Sequence, residues 1–178
     1  MELYGEHGFE QTTVSEIALR AGLTERTFFR HFSDKREVLF SGAAALTAML
    51  VHAVAEAPAS LAPMEAVITA LEAAGALFDE RRQASQRRQR VIDANAELQE
   101  REVIKMATLA SAIAGSLRER GVSDPAASLT AEAGIAVFKI AFGRWIHESN
   151  GRGLAQVIRQ SFVELQAVTA AGSPPSAA

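Results

Sequence analysis

The chain has 178 residues, enough for a small binding unit and a second domain with its own core. It has no cysteine, which excludes disulfides, thiolate metal sites and a cysteine nucleophile, and makes a reducing cytoplasm its natural compartment. A net charge of −3 speaks against nucleic-acid binding by the molecule taken as a whole, the start Met-Glu-Leu-Tyr-Gly-Glu-His lacks the basic and apolar regions of a signal peptide, and no apolar run approaches the length of a membrane span.

Residues Met1 to Gly8 read as a short helix ended by Gly8, with Leu3, Tyr4 and Phe9 turned to a local core. Thr13-Val-Ser-Glu16 is a capping box and opens a helix whose apolar residues Val14, Ile17, Ala18 and Ala21 share one face. Gly22 ends it, since glycine takes the left-handed conformation without steric cost. Thr24 caps a second helix, and Leu23 before it is placed to staple onto Phe28. Phe28 and Phe32, four residues apart, point one way, while Arg26, Thr27 and Arg30 are left on the other. Two helices joined by so tight a turn, the second anchored by aromatics and showing donors outward, make a helix-turn-helix with a recognition helix.

Between Arg20 and Arg36 five cations (Arg20, Arg26, Arg30, Lys35, Arg36) stand against Glu25 and Asp34, a local +3 that the whole-chain charge hides. Ser33 is expected to cap a third helix that runs from Asp34 to about Ala57. Lys35 and Arg36 in its first turn oppose the helix dipole by about 0.3–1 kcal/mol each, an objection that a phosphate would remove.

After the linker Ala57-Pro-Ala-Ser-Leu-Ala-Pro63, helices are predicted at about residues 63–79, 82–94, 96–120, 125–149 and 154–170, and no segment alternates like a strand. The tail from Gly172 to Ala178 reads as disordered. In the helix over 125–149, Ile135, Phe138, Phe142 and Trp145 form one apolar face and Ala133, Val137, Ile140 and Ala141 another, so it needs cover on two sides. The last helix carries the seam Leu154, Val157, Ile158, Ser161, Leu165 and Val168. The expectation is a twofold homodimer through a four-helix bundle, with Val137, Ile140, Ala141, Arg144, Leu154, Ile158, Ser161 and Leu165 at the interface.

No catalytic constellation is present: there is no Glu-x-x-His pair, no His-Glu-x-x-His, no phosphate-cradling glycine loop and no Gly-x-Ser-x-Gly elbow. The four histidines, His7, His31, His52 and His147, lie on separate helices without metal-ligand spacing, so neither metal nor cofactor is expected. Phe78, Phe138, Phe142 and Trp145, with Asn95, Lys139 and His147 as polar anchors, read either as plain core or as the lining of a pocket for an apolar or amphipathic effector. The run Arg81-Arg82-Gln-Ala-Ser-Gln-Arg87-Arg88-Gln-Arg90 reads either as a solvated helix face or as a mouth for an anionic ligand such as an acyl-coenzyme A.

Gly8-Phe9, Thr12-Thr13-Val14, Ile17-Ala18, Ala21-Gly22, Thr27, Phe29, His31-Phe32, Lys35 and Leu39, at these spacings, resemble the DNA-binding region of the tetracycline-repressor (TetR) family of bacterial regulators. The resemblance covers about the first quarter of the chain. It implies a DNA-facing set of Thr12, Thr13, Thr24, Arg26, Thr27, Phe29, Arg30, His31 and Lys35. In that set Thr13 and Lys35 clamp phosphates, and Thr24, Arg26 and Thr27 approach base edges. Phe29 stands where the family most often has a phosphate-binding tyrosine, so that contact is missing or is supplied by Arg30 or His31. Relatives begin with a longer first helix, which implies a start that is truncated or misassigned.

The architecture expected is therefore all-α with about nine helices: a helix-turn-helix three-helix unit over residues 1–40, a helical ligand-binding and dimerisation domain over 41–171, and the tail. The function expected is a cytoplasmic, ligand-responsive, non-enzymatic transcriptional regulator, a repressor that binds a near-palindromic operator as a homodimer and is released by a small molecule. The alternative is a helical small-molecule-binding protein or enzyme whose N-terminal unit no longer binds DNA.

Overall fold

The computed structural model describes residues 2–147 and 151–170 and contains helices and no strand among them. The helices are α1 (Glu2–Glu6), α2 (Val14–Arg20), α3 (Glu25–His31), α4 (Glu37–Phe40), α5 (Ala43–Ala55), α6 (Pro63–Asp79), α7 (Arg82–Asp93), α8 (Ala96–Glu119), α9 (Asp124–His147) and α10 (Leu154–Ala170). Helices α4 and α5 also read as one stretch, Glu37–Ala55, interrupted at Ser41-Gly42. The all-helical architecture is the one expected, and Pro63 takes the first turn of α6, where its missing N–H is no loss. The tail beyond Ala170 and the end of the helix expected to reach 149 lie outside the described residues.

Two compact units divide the chain, and each is discontinuous: one takes the residues up to 46 together with 83–105, the other takes 47–82 together with those from 106 onward. The helix-turn-helix region expected over residues 1–40 thus shares its core with α7 and the start of α8. Tyr4, Phe9, Leu39, Phe40, Ile92 and Leu98 make that core, with Ile17 and Val91 against it. Arg88 pins α7 there: its guanidinium donates to the Leu39 carbonyl (2.8 Å) and to Glu102 (3.0 Å) and lies over the Phe40 ring. Glu37 accepts from Arg101 at 2.7 Å in the same unit.

The helix expected to start at Asp34 under a Ser33 cap starts instead at Glu37. One Asp34 oxygen accepts from the backbone N–H groups of Arg36 (2.8 Å) and Glu37 (3.2 Å), and the other takes the Arg36 guanidinium (2.6 and 3.0 Å). The Arg36 hydrogen bond holds the Asp34 carboxyl below the usual carboxylate range. The dipole objection raised by Arg36 is met by this carboxylate, with no phosphate required.

In the second unit α6, α9 and α10 pack pairwise. Helices α6 and α9 approach so closely at Gly134 that a Cβ there would lie 2.5 Å from Cγ1 of the fully buried Val67. Both α9 and the stretch Glu37–Ala55 have the length and hydropathy of a membrane span, contrary to the sequence reading. For α9 the composition follows from packing, since nine of its residues are buried against its neighbours.

Asp79, at the end of α6, caps α10: its Oδ1 accepts from the Leu154 N–H at 2.8 Å and its charge faces the positive end of that helix. Asp79→Ala is expected to lower stability by about 1 kcal/mol, read as a shift of the urea midpoint. An unchanged midpoint would mean that water caps α10 equally well.

Candidate nucleic-acid interface

The capping box forms as the sequence spells it. The Thr13 hydroxyl accepts from the Glu16 N–H (3.2 Å), and the Glu16 carboxylate accepts from the Thr13 N–H (2.7 Å), which keeps that carboxyl below its ordinary range. At the other end of α2, Gly22 (φ +67°) allows the Leu23 N–H to reach Ala18 O (2.8 Å) and its own N–H to reach Leu19 O (3.0 Å), a Schellman stop that turns the chain sharply into α3. Thr24 then caps α3: its hydroxyl accepts from the Thr27 N–H at 3.2 Å and meets the Thr27 hydroxyl at 3.0 Å.

Helix α3 is anchored through Phe28, which is buried and packs its ring 5.2 Å from that of Phe32. The rest of the helix is presented outward: Arg26, Phe29, Arg30 and His31 are exposed and Thr27 is half-buried. Arg26 has no hydrogen bond or ion pair among the described residues, so its fork of donors is unspent. Phe29 stands edge-on against Phe28 and is 54% exposed. It has no hydroxyl to offer a phosphate. Arg30 and His31 lie side by side (Nη2 to Nε2 3.5 Å) next to it.

Two members of the DNA-facing set are turned inward. Thr12 is only 1% exposed, and its hydroxyl donates to the Gly8 carbonyl at 2.7 Å. Lys35 lies over the Phe9 ring and gives its ammonium protons to the carbonyls of Phe9 (2.8 Å), Glu10 (3.0 Å) and Thr12 (3.1 Å), closing the loop between α1 and α2. Tyr4 completes the arrangement by donating its phenol to the Lys35 carbonyl at 2.5 Å. Burial, with the nearby Asp34 charge adding, pushes the phenol up to about 12, so it remains a donor. The sequence shows no sign of this, because the partners of Lys35 lie 23 to 26 residues away.

Of the residues assigned to an effector pocket, the four aromatics come together: Phe78, Phe138, Phe142 and Trp145 stack with ring centroids 5.6 to 6.3 Å apart. Arg82, which the sequence did not single out for this place, lays its guanidinium over the Trp145 ring and donates to the Trp145 carbonyl. His147 is exposed at the end of α9. Asn95 belongs to the other unit, where its amide donates to Val91 O at 2.6 Å. No cluster of residues suited to a metal ion occurs among the described residues.

Of the residues assigned to a dimer interface, Val137, Ala141, Leu154, Ile158 and Ser161 are buried within the protomer, because α6, distant in sequence, covers the faces left open by the helical wheel. Ile140 is 59% exposed, Leu165 is half-buried, and Arg144 pairs with Glu164 at 2.7 Å across α9 and α10. The stripe that stays open on α9 is Leu129, Ala133, Ala136, Ile140, Gly143 and His147, at the 4-3-4-3-4 spacing of a helix seam. On α10, Gln160, Val163 and Ala167, at 3-4 spacing, are also exposed.

Comparison with known proteins agrees with this geometry. The family model described as bacterial regulatory proteins, tetR family, matches residues 1–41, and the model of the MftR C-terminal domain matches residues 61–170. The HTH-type transcriptional regulator TcmR of Streptomyces glaucescens is 37% identical over 73 residues, which are 41% of this chain and 32% of that protein, so the match spans about a third of the relative's length. Two solved structures share the fold. One is FadR of Thermus thermophilus, a TetR-family transcriptional repressor in complex with lauroyl-CoA (TM-score 0.59, 21% identity, 100% of this chain and 95% of that one). The other is the TetR-family transcriptional regulator PfmR, also of Thermus thermophilus (TM-score 0.50, 23% identity, 93% of each). With one model over the helix-turn-helix and a second over most of the helices that follow, the chain belongs to the TetR family of bacterial transcriptional regulators.

Proposed function

We propose that the protein is a cytoplasmic repressor that binds a near-palindromic duplex operator as a homodimer and is released by a small-molecule effector. The observation that carries this reading is α3: a short helix capped by Thr24, anchored by Phe28, with the unspent donors of Arg26 on its outer side. In a twofold dimer two such helices enter successive major grooves about 34–36 Å apart. Arg26, with Thr24 and Thr27 beside it, is assigned to base edges; Thr13, Arg30 and His31 are assigned to phosphates, in part replacing the missing tyrosine hydroxyl at Phe29.

Selecting bound fragments from random duplex DNA tests the reading directly. An inverted repeat with half-sites one helical turn apart is the expected product, and no enrichment at low salt would overturn it. With that operator, Arg26→Ala is expected to lose about 1–3 kcal/mol of discrimination at one base position of each half-site while binding to random DNA changes far less. Equal losses on both would remove Arg26 from base readout.

The effector is assigned to the aromatic cluster of the second unit. The indole N–H of Trp145 is buried without an acceptor, a cost of about 1–3 kcal/mol that an acceptor on a bound molecule would relieve. An amphipathic molecule with an apolar chain and a carbonyl suits this lining, and the lauroyl-CoA held by the Thermus relative is of that kind. Trp145 is the chain's one tryptophan, so its emission reports on the site. Titration with lauroyl-CoA is expected to shift the emission and release the operator together, and release without an emission change would move the effector elsewhere.

A further inference from the structure

A cleft of about 600 Å³ opens in the first unit, lined by one side of α1, the turn after it and α7. The buried rings of Tyr4 and Phe9, each only 3% exposed, edge its floor, Gly5 leaves it open, and Arg87 and Arg90, three residues apart on α7, stand at its rim. The two arginines differ from their neighbour. Arg88 is tied to Leu39 and Glu102, whereas Arg87 and Arg90 have no hydrogen bond or ion pair among the described residues. Glu2, also on the lining, is already paired with Arg20 at 3.2 Å, which leaves Glu10 as the one uncompensated acid of the cleft against two free guanidinia. An apolar floor edged by aromatic rings, with two free forked cations at its rim, matches a flat apolar body that carries a carboxylate, phosphate or sulfonate.

We propose that this cleft is a second ligand site, separate from the aromatic cluster of the other unit, and that it takes a small organic anion with a flat apolar body. The site bears on DNA reading through its own wall. Tyr4 donates to the Lys35 carbonyl, and the Lys35 ammonium is held by the Phe9 carbonyl, so an occupant pressing on either ring presses on the segment that joins α3 to α4. This coupling rests on the DNA-binding reading; occupancy of the cleft does not.

Tyr4 is the only tyrosine of the chain, so ring-¹³C-labelled tyrosine gives one resonance, at the cleft wall. The full chain is titrated with 1-anilinonaphthalene-8-sulfonate, an aromatic anion, and separately with a short duplex of arbitrary sequence. A saturable shift of the Tyr4 resonance with the sulfonate is expected. Its affinity should be at least tenfold weaker in the double variant R87Q/R90Q, which removes no hydrogen bond or ion pair of the fold. It should be abolished in Gly5→Leu, where a Cβ meets nothing within 4 Å and the side chain fills the opening. A resonance that does not move, that moves with wild-type affinity in both variants, or that moves with the duplex and not with the sulfonate overturns the proposal. Loss of operator selection with the sulfonate shift intact would sink the DNA-binding reading alone.

Discussion

Substituting Ile140 by glutamate is expected to raise the dissociation constant of the proposed homodimer at least a hundredfold and to lower operator affinity with it. Ile140 lies at the middle of the open stripe on α9 and is 59% exposed in the protomer, so a carboxylate there meets water and the protomer keeps its fold. In a seam against the same helix of a second subunit, the two carboxylates of a symmetric pair face each other across a dry contact. Desolvation and like-charge repulsion together then cost about 3 kcal/mol or more, equivalent to two decades in affinity. Sedimentation velocity reads the outcome as a fall from twice the chain mass of 19.0 kDa toward once that mass. Lys139→Glu, on an exposed neighbour outside the stripe, serves as the control. Equal masses for wild type and I140E would place the dimer contact elsewhere or remove it.

The choice of Ile140, and not of Val137 or Ala141, shows where the sequence was readable and where it was not. Features that depend on residues within one turn of each other came through: the Thr13–Glu16 box, the Gly22 stop, the Thr24 cap, the Phe28–Phe32 anchor and the limits of α6 and α10. Each is a competition settled by local sterics and local hydrogen bonds. The helical wheel of α9 also showed that it needs cover on two sides. It could not say who supplies the cover. Gly134 lets α6 come close enough to take one face and α10 takes another, so five of the eight residues assigned to a partner subunit are satisfied at home, while the open seam is a third stripe of mostly small residues that no hydrophobic count would rank first. The same limit explains Asn95. It sits between α7 and the start of α8, both in the first unit, and no periodicity in its own neighbourhood distinguishes that from the second.

Lys35 is the sharpest instance, and Lys35→Met is expected to act on stability before it acts on DNA. Methionine keeps the stem that lies over Phe9 and removes the ammonium that three carbonyls share. Hydrogen bonds to a charged donor are worth about 1.5–3 kcal/mol each when no alternative exists. Here the carbonyls of this half-exposed loop regain water, so the net loss should be about 2–3 kcal/mol for the whole group. The loop between α1 and α2 loosens, Tyr4 loses the fixed carbonyl that it donates to, and the segment that joins α3 to α4 loses its tie to that loop. Amide exchange in α2 and α3 should accelerate accordingly, and binding should weaken on operator and random DNA alike. A Lys35 that clamps a phosphate predicts something different: unchanged exchange in the free protein and a salt dependence of binding flatter by about one counterion. Arg30→Met supplies the comparison, since Arg30 is exposed on α3 and should flatten the salt dependence without touching exchange. If K35M behaves like R30M, the three carbonyl contacts do not persist in solution and the role implied by family resemblance returns.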